Sequence, residues 1–105
     1  MKVLKFGGTS VGTAESLTYV KHIVESGEDR MVVVVSALGG LTDKLLATAA
    51  LASSGDQRYK DNMLSIAERH RGIITAIIAP EFQDEVSSTV EPMLEELGKL
   101  YDGVA

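Results

Sequence analysis

The chain contains 105 residues, of which 45% are hydrophobic, and it has a formal net charge of -5. This length suits one domain with a modest apolar core. The acidic balance argues against nucleic acid or an anionic membrane as a partner, so any bound phosphate needs local backbone N–H groups and a few cations. The lack of cysteine excludes disulfides and thiolate metal sites. Without a signal-peptide pattern or an apolar run of about 18 residues, we expect a cytoplasmic protein.

The first twelve residues, MKVLKFGGTSVG, predict a short buried strand followed by a tight loop. The strand is expected over residues 3–6 and the glycine loop over residues 7–12. Apolar residues at helical spacing then predict a helix. Thr13 or Ser16 is its expected N-cap, and Gly27 stands where a left-handed helix stop belongs.

The segment RMVVVVSALGG predicts a second strand. Four consecutive valines favour a strand that is buried on both faces, as in a parallel sheet. Strand, loop, helix and strand in this order form a βαβ unit. Gly39 and Gly40 follow the second strand as Gly7 and Gly8 follow the first, so both glycine loops should lie at the carboxyl edge of one sheet. Ligands of open α/β folds bind at that edge.

The remainder of the chain predicts helices over residues 41–53, 56–79 and 81–101, the last of them kinked or split at Pro92. Two predicted strands make a narrow sheet with bare edges, so we expect a marginally stable chain that associates with itself. His22 and His70 are interpreted as structural residues on helices. The side chains expected to point inward from the last helix are Phe82, Val86, Val90, Met93, Leu97 and Tyr101.

The first glycine loop has the features of a phosphate cradle. Glycines let a bulky anion approach backbone N–H groups, and the N-terminus of the next helix adds partial positive charge. Lys5 offers an ammonium group, and Thr9 and Ser10 offer hydroxyls. A strand-to-helix turn with a solvent-exposed lysine explains the same residues. The spacing matches neither the Walker P-loop nor the G-x-G-x-x-G dinucleotide fingerprint.

The second glycine loop repeats this arrangement. Ser36 ends the strand, Gly39 and Gly40 turn the chain, and a helix follows. Thr42 as an N-cap and Asp43 as a favourable first-turn charge explain this loop without a ligand. Two such loops at one sheet edge, each followed by a helix N-terminus, are stronger evidence for an anion site than either loop alone.

The segments KFGGTSV and VVVVSALGGLTDKL resemble the signature segments of the aspartokinases, within the amino acid kinase superfamily. SGDQRYKDNMLSIAERHRGII resembles the helical region of aspartokinases fused to homoserine dehydrogenase. The resemblance covers the whole chain. It implies an α/β fold in which residues 1–105 form the incomplete N-terminal part of a three-layer αβα kinase domain, a βαβ unit followed by a helical region.

The resemblance also implies roles for individual residues. Lys5 would be catalytic, offsetting charge on the transferring phosphate, and Thr42 would contact the substrate aspartate. No residue is expected to be a metal ligand. The residues implied to contact ATP or its phosphates are Lys5, Phe6, Gly7, Gly8, Ser10, Ser36, Gly39 and Gly40.

The implied reaction transfers the γ-phosphoryl group of ATP, supplied with Mg²⁺, to the β-carboxylate of L-aspartate. The product would be 4-phospho-L-aspartate, on the route to lysine, threonine and methionine. The family's further substrate residues and adenine pocket do not occur here, so the isolated chain is expected to be inactive without the remainder of the kinase domain. A homo-oligomer is expected. The alternative is a detached α/β fragment that serves as an association or anion-binding module.

Overall fold

A computed structural model describes residues 1–8, 10–27 and 30–105 of the chain. The chain divides into two compact units, Met1–Thr42 and Asp43–Ala105. The elements run in the order strand, helix, strand and then three helices. The predicted α/β class is therefore confirmed.

The first unit contains a parallel two-stranded sheet. Its strands are β1 (Lys2–Phe6) and β2 (Met31–Val35), joined through the helix α1 (Ala14–Glu25). The ladder extends one step past the strands, because the Ser36 amide donates to the carbonyl oxygen of Phe6 at 3.1 Å. Both strands, their parallel pairing and the connecting helix agree with the βαβ prediction.

The sheet is not buried in the way that its sequence predicts. The side chains of Val32, Val33, Val34 and Val35 are between 39% and 56% exposed, and Val3 is 66% exposed. The described part of this unit has one helix beside a two-stranded sheet, which leaves both sheet faces open to solvent. The prediction of a strand buried on both faces is therefore wrong for this chain, although the strand itself is present.

Local hydrogen bonds explain where α1 begins and ends. Thr13 is the N-cap: its Oγ1 accepts from the Ser16 amide at 3.1 Å, and Ser16 Oγ accepts from the Thr13 amide at 3.1 Å. This reciprocal pair is a capping box. The helix ends at Ser26 in right-handed conformation, with φ of -78°. Gly27 has no positive φ, so its predicted role as a left-handed stop is wrong.

The helices of the second half also follow the sequence prediction. They are α2 (Leu41–Ser53), α3 (Tyr59–Ile77) and α4 (Pro80–Val104). α4 starts with proline in its first turn, where no intrahelical N–H bond is lost. Pro92 lies inside α4 and does not split it. None of the helices among the described residues has the length and apolar character needed to span a membrane.

The second unit has a small core of its own. Ala52, Tyr59 and Tyr101 are buried together, with Met63 and Leu97 packed against them. The inward face of α4 differs in part from the prediction. Phe82 and Met93 are 55% and 65% exposed, whereas Leu94 is buried. Leu94 and Tyr101 stand seven residues apart, so they share one side of the helix, and that spacing sets the buried face.

Candidate functional site

Lys5 lies next to the end of β1, level with Val34 on the neighbouring strand. Its side chain is exposed. Among residues 1–8, 10–27 and 30–105, no carboxylate forms an ion pair with its ammonium group. A strand that ends at a glycine loop thus presents an unpaired cation close to that loop.

The first loop connects β1 to α1 through a tight turn. The Ser10 amide donates to the carbonyl oxygen of Gly7 at 3.0 Å. Neither Gly7 nor Gly8 has a positive φ, so the loop does not depend on left-handed backbone there. Gly7 leaves open space: no atom of the described residues would lie within 4 Å of a Cβ added there. The predicted hydroxyl of Thr9 falls outside the described residues.

The second loop connects β2 to α2 and does contain a left-handed residue. Gly40 has φ of +76°, a conformation that favours glycine. Ser36 Oγ donates to the carbonyl oxygen of Ala37 at 2.9 Å. Since a hydroxyl has one donor, Ser36 must rotate away from Ala37 before it can donate to a phosphate oxygen. The Leu41 amide closes the loop by donating to Leu38 at 2.9 Å.

The two loops contact each other through backbone. A Cβ added at Gly8 would lie 3.4 Å from the Gly39 Cα and 3.6 Å from Ser36 Oγ. A Cβ added at Gly39 would lie 2.7 Å from the Gly8 carbonyl oxygen and 3.3 Å from the Gly12 Cα. The structure thus brings Gly8, Ser36 and Gly39 together at the carboxyl edge of the sheet. Sequence reasoning missed Gly12, although it is the third glycine of GGTSVG.

The other predicted site residues are placed around these loops. Thr42 is exposed in the first turn of α2. That helix begins at Leu41, so Thr42 is not its N-cap, whereas Asp43 is the acidic residue of the first turn. Phe6 and Ser10 line a mostly apolar cavity of about 190 Å³ that sequence reasoning did not identify. The cavity is lined by Phe6, Ser10, Ser16, Tyr19, Val20 and Ile23.

The two histidines differ in their surroundings. His22 is exposed on α1. His70 is half-buried on α3, and its Nδ1 lies 2.7 Å from the carbonyl oxygen of Ile66. In the part of the chain that the structure describes, no group of three or more histidine, aspartate or glutamate side chains could hold a metal ion.

The amino-acid sequence of the chain is similar to those of a known protein family. Residues 1–102 match the model of the amino acid kinase family. The chain is 31% identical over 99 residues, 93% of its length, to bifunctional aspartokinase/homoserine dehydrogenase 1, chloroplastic, of Arabidopsis thaliana. It is 40% identical over 88 residues to the aspartokinase of Chlamydia trachomatis and 42% identical over 72 residues to that of Geobacillus stearothermophilus, covering 84% and 64% of this chain.

The match covers only part of each relative. The chain spans 10% of the Arabidopsis protein, 18% of the Chlamydia protein and 17% of the Geobacillus protein. The part of this chain that matches the family model includes both glycine loops, the whole of α2 and α3, and α4 as far as residue 102. The chain belongs to the amino acid kinase family.

Proposed function

We propose that this chain supplies the phosphate side of an aspartate kinase site, which transfers the γ-phosphoryl group of MgATP to the β-carboxylate of L-aspartate. The observation that carries this proposal is the contact between the two glycine loops at the carboxyl edge of the sheet, with Lys5 beside it. The similarity to aspartokinases supports the choice of aspartate as the acceptor.

The chemistry requires few groups from the protein. A carboxylate is deprotonated at neutral pH, so the acceptor needs no general base. Catalysis then consists of positioning and of neutralising charge on the transferring phosphoryl group. Lys5 supplies a mobile cation, and the loop glycines let the phosphates approach backbone N–H groups. Thr42 lies one residue past the start of α2, where its hydroxyl would contact the substrate carboxylates.

The chain contributes one part of this site. The adenine pocket and further aspartate contacts belong to the remainder of the kinase domain, which we propose as the necessary partner. The exposed valines of β2 fit this proposal, because strands of this composition are typical of sheets covered on both faces. The isolated chain should therefore bind MgATP weakly and form no aspartyl phosphate.

The test compares the isolated chain with the longer polypeptide that contains it. Aspartyl phosphate is trapped as the hydroxamate with hydroxylamine while ADP formation is followed. We expect aspartate-dependent product only from the longer polypeptide. Aspartate-dependent ADP formation by the isolated chain would disprove the need for a partner. Phosphorylation of another acidic substrate, with aspartate inert, would disprove the acceptor.

A second candidate function is an association module, and the exposed sheet favours it. Valines that are 39–56% exposed on an open two-stranded sheet provide an apolar surface and unpaired edges for a second copy. Sedimentation over a range of concentrations distinguishes the candidates. A stable dimer without affinity for MgATP supports association, whereas a monomer with saturable MgATP binding excludes association as its main role.

A further inference from the structure

We infer that Gly39 is a positioning residue: its missing side chain lets the second glycine loop rest against the first, and this contact sets the phosphate-binding geometry of both loops. The inference rests on the proposed function, because it concerns the same site. It gives Gly39 a different task from Gly40 and Gly7, which share the glycine-rich sequence but not the contact.

The distances single out Gly39. A Cβ at this position would lie 2.7 Å from the Gly8 carbonyl oxygen, 3.4 Å from the Gly8 carbonyl carbon and 3.3 Å from the Gly12 Cα. Carbon atoms in favourable contact lie about 3.5–4.0 Å apart. All three neighbours are backbone atoms, so no side chain can rotate away. An alanine at Gly39 must therefore move one loop relative to the other.

The neighbouring glycines lack this constraint. Within residues 1–8, 10–27 and 30–105, Gly40 has no neighbour within 4 Å of an added Cβ, and its requirement for glycine comes from φ of +76°. Gly7 has neither a near neighbour nor a positive φ. An alanine at Gly40 strains the second loop itself, whereas an alanine at Gly39 pushes on the first loop. The two substitutions thus separate backbone strain from displacement of the partner loop.

Displacement matters because each loop follows a different strand and precedes a different helix. Gly8 and Gly12 belong to the loop before α1, and Gly39 belongs to the loop before α2. A phosphate group held by both loops needs their N–H groups at a fixed separation. A shift of about 1 Å in a positioned group can lower function about 100-fold. Gly39 fixes that separation through its close backbone contacts with Gly8 and Gly12.

The experiment measures loop contact and nucleotide affinity separately in the full chain. Amide signals of Gly8 and Gly12 are followed by NMR without ligand, and MgATP is then titrated. We expect Gly39→Ala to shift both amide signals and to weaken MgATP binding about tenfold to 100-fold, the loss expected when one hydrogen bond to a charged phosphate is removed. Gly40→Ala should lower the melting temperature and leave these two signals near their original positions. Gly72→Ala, at an open site on α3, is the control for an added methyl group.

Two results overturn the inference: unmoved Gly8 and Gly12 signals in Gly39→Ala, or moved signals with unchanged MgATP affinity. If Gly39→Ala does not fold, Gly8→Ala replaces it: its Cβ would touch the Gly39 Cα at 3.4 Å, so the Gly12 signal and the MgATP affinity should change in the same direction but by less. If the unmodified chain does not saturate with MgATP, the affinities of the parent and of Gly39→Ala are compared in a polypeptide that joins this chain to the proposed remainder of the kinase domain. The amide shifts in the isolated chain then still decide whether Gly39 holds the loops together.

Discussion

The two units differ in the exposed fraction of their large side chains. In Asp43–Ala105, Ile66 is 2% exposed and Tyr59 is 5% exposed. The buried polar groups there have partners: Tyr101 donates to the Leu45 carbonyl oxygen at 2.9 Å, and Thr48 donates to the Lys44 carbonyl oxygen at 2.6 Å. In Met1–Thr42, the strand of four valines remains about half exposed.

This difference separates folding stability from the proposed chemistry. The helical unit buries its tyrosines with satisfied hydroxyls, which is the favourable way to bury such groups. The strand unit contains the lysine and the glycine loops; it buries Val11, Val20 and Leu41 but leaves the valines of β2 about half exposed. We infer that the helical unit provides most of the chain's stability, while the strand unit depends on additional cover. We therefore expect substitutions in the helical unit to lower folding stability, and substitutions at the lysine and the glycine loops of the strand unit to lower activity.

The largest effect should come from Lys5→Ala in a polypeptide that joins this chain to the proposed remainder of the kinase domain. Loss of one group that stabilises transition-state charge lowers turnover about 100- to 1,000-fold. Lys5 is exposed, so the melting temperature should barely change. Turnover of hydroxamate-trapped product measures the effect.

Lys2→Ala is the matched control, because Lys2 is an exposed lysine at the other end of β1. It should leave turnover unchanged. A Lys5→Ala enzyme that keeps turnover within about threefold of the parent would contradict the role of Lys5, because such a loss is far below that of a charge-stabilising group.

Ile66→Ala should give the largest loss of stability. Truncating a fully buried isoleucine costs about 2–5 kcal/mol in the free energy of unfolding. Val34→Ala removes a smaller, 46% exposed side chain and should cost below about 1 kcal/mol. Urea unfolding at several protein concentrations measures both. An equally large, concentration-dependent loss in Val34→Ala would mean that the valines are covered by a second copy in solution.

The sequence predicted the elements better than their surroundings. Both strands follow from short apolar runs that end at glycine loops, the helices follow from apolar periodicity, and α2 has the predicted bounds of 41–53. The burial of β2 could not be predicted in this way, because four valines show that a strand suits an interior and not whether the chain supplies one. The inward position predicted for Met93 is also wrong. The apolar spacing along α4 is compatible with a buried face that contains either Met93 or Leu94, and in the structure Leu94 is the buried residue.

The candidate site was predictable in its composition but not in its geometry. The order Lys5, glycine loop and helix is visible in the sequence, as is its repetition after β2. The contact of Gly39 with Gly8 and Gly12 is not visible, because it depends on how two loops 27 or more residues apart meet. Nor does the sequence show that Ser36 Oγ is already bonded to Ala37. Local pattern defines which groups are present, and the long-range pairing of strands defines their distances.

Asp102→Ala tests the hydrogen bonding in the helical unit. Tyr59 donates to Asp102 Oδ1 at 2.8 Å, and this bond, followed by burial and the carboxylate charge, raises the pKa of Tyr59 above its usual 10. The neutral phenol therefore stabilises the fold fully below pH 10, and this contribution is lost as pH rises through the raised pKa. Without Asp102, the pKa of Tyr59 should fall towards 10, and base unfolding should begin at lower pH.

Ultraviolet titration of the phenols measures this shift, and Tyr59→Phe identifies the signal. Asp84→Ala is the matched control, because Asp84 is an exposed aspartate on the same helix α4. It should leave the titration unchanged. An unchanged pKa of Tyr59 in Asp102→Ala would show that the hydrogen bond does not form in solution, and the core of the helical unit would then be less ordered than its burial indicates.

The smallest effect concerns the turn before α3. The Arg58 guanidinium donates to both carboxylate oxygens of Asp56, and the Arg58 amide donates to Asp56 Oδ1 at 3.0 Å. These bonds lower the pKa of Asp56 from 3.8 to about 2. A lowered pKa adds stability above pH 3.8 that is lost as pH falls to about 2. Because the pair is exposed, solvent screens most of its contribution.

Arg58→Ala removes the guanidinium and leaves the amide of residue 58. The pKa of Asp56 should therefore rise only part of the way from about 2 towards 3.8, as followed by NMR titration of the carboxyl carbon. Arg71→Ala, which breaks the comparable Arg71–Glu91 pair, should leave Asp56 unchanged. A full return to 3.8 would show that the backbone bond is lost together with the side chain. The turn would then owe its shape to the ion pair, and the helical unit would depend on a surface contact as well as on its core.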